Sequence, residues 1–119
     1  MQLAEVRPAL IQGTMAAGGT LTTEIDIGGF EAFGLITDGN LVNSTLSFQV
    51  SAFPDGNANA FYTDLKDETG TAVTLGPTGT RIAVKSDILT QYLIGYRYVK
   101  IKSAATQTNG VKFYLPAKP

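Results

Sequence analysis

Residues 45–53 carry the most constraining pattern in the chain. Leu46, Phe48, Val50 and Ala52 alternate with Thr45, Ser47, Gln49 and Ser51. A period of two puts the apolar set on one face of an extended strand, whereas a helical period of 3.6 would scatter it. A strand that is apolar on one face needs a second layer to cover it. The same alternation returns at 96–103, with Val99 and Ile101 facing in and Lys100 and Lys102 facing out, and at 111–115 with Val111, Phe113 and Leu115. Residues 20–28 predict a half-buried strand with Leu21, Ile25 and Ile27 inward and Thr22, Glu24 and Asp26 outward. Residues 30–37 are apolar on both parities, as in a central strand. Shorter strands are expected at 61–65, at 72–75 through Val73 and Leu75, and at 81–85 through Ile82 and Val84.

Turn chemistry separates these segments. Asp38-Gly39-Asn40, Pro54-Asp55-Gly56-Asn57, Asp67-Glu68-Thr69-Gly70, Gly76-Pro77-Thr78-Gly79 and Thr106-Gln107-Thr108-Asn109-Gly110 are residue types that tolerate positive φ or pre-set a turn. About eight short strands with no repeat and no linker predict an all-β chain, an antiparallel two-sheet β-sandwich of jelly-roll type. Ser86 can cap one short helical turn through Ile88, Leu89, Tyr92 and Leu93, stopped by Gly95, or the same residues can form a strand. The sandwich domain is assigned to 20–119. Residues 1–19, ending in the flexible Ala16-Ala17-Gly18-Gly19, form either a first strand or an arm that packs on a neighbouring chain.

The inventory narrows the chemistry. At 119 residues the chain fits one domain with a sizeable core, and it contains neither cysteine nor histidine. Disulfides, thiolate metal sites, cysteine nucleophiles and the commonest general base are excluded. Nine basic and ten acidic residues leave a net charge of -1 without runs of either sign, so no basic stripe points to nucleic acid. No apolar run approaches the ~20 residues of a membrane span, and the first eight residues lack the regions of a signal peptide. The expectation is a soluble protein made in a reducing cytoplasm, with no membrane or nucleic-acid partner and no cofactor.

Motif-like stretches weaken on inspection. Asp55-Gly56-Asn57-Ala58-Asn59 imitates the start of a calcium loop, but Ala60 stands where glycine is needed and Lys66 where a bidentate Glu should be. A polar loop tip explains it. Gly13 to Thr20 has the glycine spacing of a phosphate loop, with Gly19 in place of the lysine and a strand following instead of a helix. Asp26, Glu31, Asp38, Asp64, Asp67 and Glu68 could pair for glycoside hydrolysis, but they sit beside turns or on outward faces and no two are marked as partners. The chain is therefore expected not to be an enzyme.

Phe33, Phe48, Phe61 and Phe113 are expected in the core, with tyrosines bridging core and water. Candidate interface residues are Leu3, Val6, Leu10 and Ile11 near the N-terminus and the outward Tyr114.

From Ser44 to Leu115 the strand pattern carries two resemblances. Leu46-Ser47-Phe48-Gln49-Val50-Ser51, then Phe61-Tyr62-Thr63-Asp64-Leu65, then Tyr96-Arg97-Tyr98-Val99-Lys100-Ile101 resembles the discoidin-like, galactose-binding type of jelly roll. With Gly70-Thr71-Ala72-Val73-Thr74-Leu75 between them, the same residues are similar to small structural proteins of tailed-phage virions. The phage resemblance implies a capsid decoration or cement protein, trimeric, on the outer capsid surface of the virion and bound to the major capsid protein. A tail or baseplate subunit would share the fold. The discoidin-like resemblance implies a carbohydrate-binding module, against which stand the lack of tryptophan and of a polar cluster flanked by an exposed ring.

Overall fold

The computed structural model describes residues 9–28, 30–32, 34–38, 41–42, 45–76, 83–85, 87–93 and 95–118. It is an all-β, two-sheet sandwich with one short helix, α1 (Asp87–Leu93). The strands are β1 (Ala9–Met15), β2 (Ile25–Asp26), β3 (Glu31–Ala32), β4 (Gly34–Thr37), β5 (Leu46–Ser51), β6 (Thr63–Asp64), β7 (Thr74–Leu75), β8 (Ala83–Lys85), β9 (Tyr98–Ser103) and β10 (Val111–Lys118).

Among the described residues each sheet has five strands. The first runs β1-β10-β4-β8 with β3 also on β10, and the second runs β2-β9-β5-β6 with β7 also on β5. Every pairing is antiparallel. The strands outnumber the eight expected for two reasons. Within 30–37 the described residues form β3 and β4 on either side of Phe33, which lies outside them, and residues 9–15 form a full strand whose seven residues pair with β10 from Ala9 opposite Ala117 to Met15 opposite Val111.

Period-two burial follows the alternation where it is strict. Leu46, Phe48 and Val50 of β5, Val99 and Ile101 of β9, and Val111, Phe113, Leu115 and Ala117 of β10 all point into one core. Met15, Ile25, Ile27, Leu35 and Leu75 complete it from both sheets, and α1 adds Leu89 and Leu93. The helix docks on the first sheet, where the Thr90 hydroxyl donates to the Ala32 carbonyl at 3.2 Å. Gly13 lies where β1 crosses β2: a Cβ there would meet Ile25 Cγ1 at 2.7 Å, so the sheets approach this closely only because the side chain is absent.

At the end of β5 the alternation fails, with Ser51 buried and Ala52 exposed where the reverse was expected, and two further expectations are corrected. Leu21 is exposed and Thr22 is buried, the reverse of the alternation predicted for 20–28. Residues 21 and 22 bridge Lys102 and Met15, and the chain leaves strand geometry at 23–24 before β2 begins. That break shifts the inward parity by one residue. The buried Thr22 hydroxyl accepts from the Ile101 amide at 2.9 Å, so it is not an unpaired polar group in the core. The second correction concerns Phe61, which is 71% exposed. β6 is a two-residue strand at the sheet edge, and the position before it is not covered by the other layer. Phe48 and Phe113 are core as expected, while Phe33 lies outside the described residues.

Buried Gln107 ties the loops at one end together. Its Oε1 accepts from the Val42 amide at 2.7 Å, and its Nε2 donates to Ser103 Oγ at 2.9 Å and to the Ala105 carbonyl at 3.3 Å. Its backbone exchanges hydrogen bonds with Gly18 and Gly19.

Candidate binding surfaces

Two surfaces stand out, one on the outer face of the first sheet and one at an end of the second. The first follows from register. Tyr114 lies between buried Phe113 and Leu115, so it faces away from the core, half-buried among its neighbours. Gln12 is opposite it on β1 and Ile36 on β4, and Ile36 is in turn opposite Ala83 on β8. A row of four strands therefore presents Gln12, Tyr114, Ile36 and Ala83, with Ile36 39% exposed. Leu10 pairs opposite Pro116. Ile11 is opposite Leu115 and packs against the core. Leu3 and Val6 lie outside the described residues.

The second surface is an open cleft of about 520 Å³ between the end of β5, the start of β6 and the residues leading into β9. Phe61 and Tyr96, 71% and 42% exposed, both line it, together with Val50, Ser51, Thr63 and Arg97. Exposed Phe53 belongs to the same loop, anchored by Ser51 Oγ, which donates to the Phe53 carbonyl at 2.8 Å. The sequence offered no ring-flanked polar cluster because Phe61 was assigned to the core. The structure supplies one.

Charged residues around the cleft are paired. Arg97 Nε donates to Asp26 Oδ1 at 3.2 Å and Nη2 to Oδ2 at 3.3 Å, and the guanidinium also lies 5.2 Å from the Tyr98 ring centre. The Arg97 hydrogen bond, helped by the Gly28 amide at 2.9 Å, holds the Asp26 carboxyl below the usual carboxylate range. A Cβ at Gly28 would sit 2.8 Å from Arg97 Nε, so a larger residue there would push the guanidinium aside.

The loop before Phe61 is fixed by one carboxylate. Glu24 Oε2 accepts from the Asp55 amide and from the Tyr62 hydroxyl, both at 2.6 Å, so the two ends of the loop converge on one oxygen. Lys100 Nζ pairs with Asp55 Oδ2 at 3.1 Å and sits 4.2 Å from the Tyr62 ring centre. Burial, and then the Glu24 carboxylate, push the Tyr62 hydroxyl far above its ordinary range. Phe61 is thus presented from a braced neighbour.

Asp55, Asn57 and Asp67 are engaged locally, whereas Asp38 Oδ1 is buried without a hydrogen-bond partner among the described residues. Asp55 is taken by Lys100, and Asn57 Oδ1 accepts from the Asn59 amide at 2.8 Å. Asp67 Oδ1 accepts from the Thr69 amide and hydroxyl and the Thr71 amide, which keeps its carboxyl below the usual range and closes a turn. Among the described residues no three acidic side chains gather as a metal site, and no helix is long and apolar enough to cross a membrane. Compared with protein families, curated proteins and solved structures, the chain finds no match.

Proposed function

We propose that this chain is a non-catalytic structural protein that decorates and stabilises a phage capsid, binding the major capsid protein lattice on the outer surface of the virion. The observation that carries this reading is the outward face of the first sheet, where Ile36 and Tyr114 stand side by side on adjacent strands. An outward sheet face is ordinarily polar, and apolar side chains clustered on one mark a surface made to be covered. The sandwich behind it supplies stiffness, because β10 lies at its centre and is paired along its length with β1 on one side and with β3 and β4 on the other.

The paired charges on the second sheet support the same reading. Arg97 and Lys100 are each committed to a carboxylate, which leaves them ill suited to neutralising a phosphate backbone. A decorating subunit needs only modest affinity per contact, since a homo-oligomer, here a trimer, multiplies contacts on a repeating lattice.

The test adds purified protein to shells that lack it and measures the temperature at which the shells burst. Binding in fixed ratio with a raised burst temperature supports the reading, and Ile36→Asp should abolish both while leaving the free protein folded. Protein that labels tails or baseplates instead of shells would replace the capsid with the tail as the address.

A further inference from the structure

We propose that Asn109 is a site of slow, water-driven covalent modification, losing its side-chain amide through a cyclic imide formed with the Gly110 nitrogen. The inference is independent of the capsid reading, because it rests on the loop between β9 and β10 and needs no partner. Three observations carry it.

Sequence and exposure come first. Asn109-Gly110 is the one place in the chain where glycine follows asparagine. Both residues are exposed, and the Asn109 side chain makes no hydrogen bond to another described residue. Imide closure requires the backbone to rotate until the next nitrogen meets the side-chain carbon, and a Cβ on that next residue restricts the rotation. Asn57 and Asn59 are each followed by alanine, and Asn57 Oδ1 is also occupied by the Asn59 amide at 2.8 Å. Asp55-Gly56 has the same spacing, but an ionised carboxylate resists nucleophilic attack, and Asp55 is held by Lys100 and through its amide by Glu24.

Space comes second. A Cβ built on Gly110 would meet only the Met15 carbonyl oxygen, at 3.7 Å, so there is room beside Gly110 for a tetrahedral intermediate. The Gly110 nitrogen passes its proton to solvent and attacks Asn109 Cγ, forming a new N–C bond. The Cγ–Nδ2 bond then breaks, and ammonia leaves after taking a proton back. Water opens the five-membered ring at either carbonyl. Cleavage of the new bond gives an aspartyl residue in a normal main chain, and cleavage between the Asn109 main-chain carbonyl carbon and the Gly110 nitrogen gives an isoaspartyl link. In sum, an amide and water become a carboxylate and ammonium.

Anchorage comes third. The Gln107 backbone is pinned to Gly18 at 2.7 Å and to Gly19 at 3.0 Å, and Val111 is paired opposite Met15. Residues 108–110 therefore span two fixed points. The isoaspartyl product inserts an extra main-chain carbon into that span and adds a negative charge to a chain whose net charge is -1. The added length is taken up where the backbone is held least, at the loop contacts of Gln107, because Val111 belongs to the long pairing of β1 with β10.

The experiment holds the full-length folded protein in warm, mildly alkaline buffer and maps its peptides by mass spectrometry over days, with isoaspartyl methyltransferase to label the isoaspartyl form. The peptide containing Asn109 should gain the mass difference between an amide and a carboxylic acid and separate into isoaspartyl and aspartyl forms, while Asn57 and Asn59 stay intact. Gly110→Ala, whose Cβ fits the space at a φ that is not positive, should slow the reaction roughly tenfold. In the modified protein, amide exchange at Gly18 and Val42, which both donate to Gln107, should quicken while β5 and β9 stay protected. The proposal is overturned if the folded protein keeps the Asn109 amide under conditions where the urea-unfolded chain loses it. It is equally overturned if Gly110→Ala reacts as fast as the parent, or if Asn57 or Asn59 is modified as quickly as Asn109.

Discussion

At the scale of single residues, the fold depends on a few side chains that local pattern does not single out. Gln107 stands in a loop of turn formers, yet it is fully buried and joins the 41–42 segment to the turn after β9. Gln107→Ala should cost about 2–4 kcal/mol in urea unfolding, since it opens a cavity and strands the Val42 amide. Gly13 is the counterpart in which absence matters. Gly13→Ala should cost about 1–3 kcal/mol, and Ile25→Val, which trims the side chain it strikes, should recover part of that loss in a double-mutant cycle. Asp26 makes a pH-dependent contribution. Its folded carboxyl lies below the unfolded value of about 3.9, so the contribution is present above that pH and lost as pH falls through the folded value. Asp26→Asn should therefore be slightly less stable than the parent at neutral pH, and thermal unfolding over a falling pH series should show the gap narrowing below the unfolded carboxylate value.

At the scale of elements, the sequence was legible where alternation is strict and the strand is central. Val99 and Ile101 face in and Lys100 and Lys102 face out because β9 is flanked by β2 and β5, and a slip of one residue would expose its whole apolar face. Legibility failed at edges. Phe61 shares parity with buried Leu65, but edge strand β6 gives it no covering layer, and the 23–24 break reversed Leu21 and Thr22 in a way no period reveals. The cleft was missed for the same reason, since its principal ring was assigned to the core. β1 is also an edge strand, but it protects β10 along seven residues. Removing residues 1–13 should expose that backbone and yield a chain without a cooperative thermal transition. The Glu24 brace predicts a local effect instead. Glu24→Ala should speed amide exchange in residues 53–62 while core strands β5 and β9 stay as protected as before.

At the scale of the whole molecule, the two sheets divide the labour. The first carries an outward row centred on Tyr114 and Ile36 that fits a docking role, and the second carries a braced, charge-balanced cleft at its end. Neither surface needs the core to move, which suits a rigid module whose contribution comes from what it touches. With a net charge of -1, association with a lattice would be set by shape and apolar contact more than by long-range steering. Binding to shells should therefore fall little between low and physiological salt, as sedimentation across a salt series would show. On the proposed capsid reading, the most direct measurement is quantitative mass spectrometry of purified virions from the source of this chain. The account predicts the chain in a fixed ratio to the major capsid protein, retained through repeated banding. Virions that lack it, with the chain found only free in the lysate, would contradict the account.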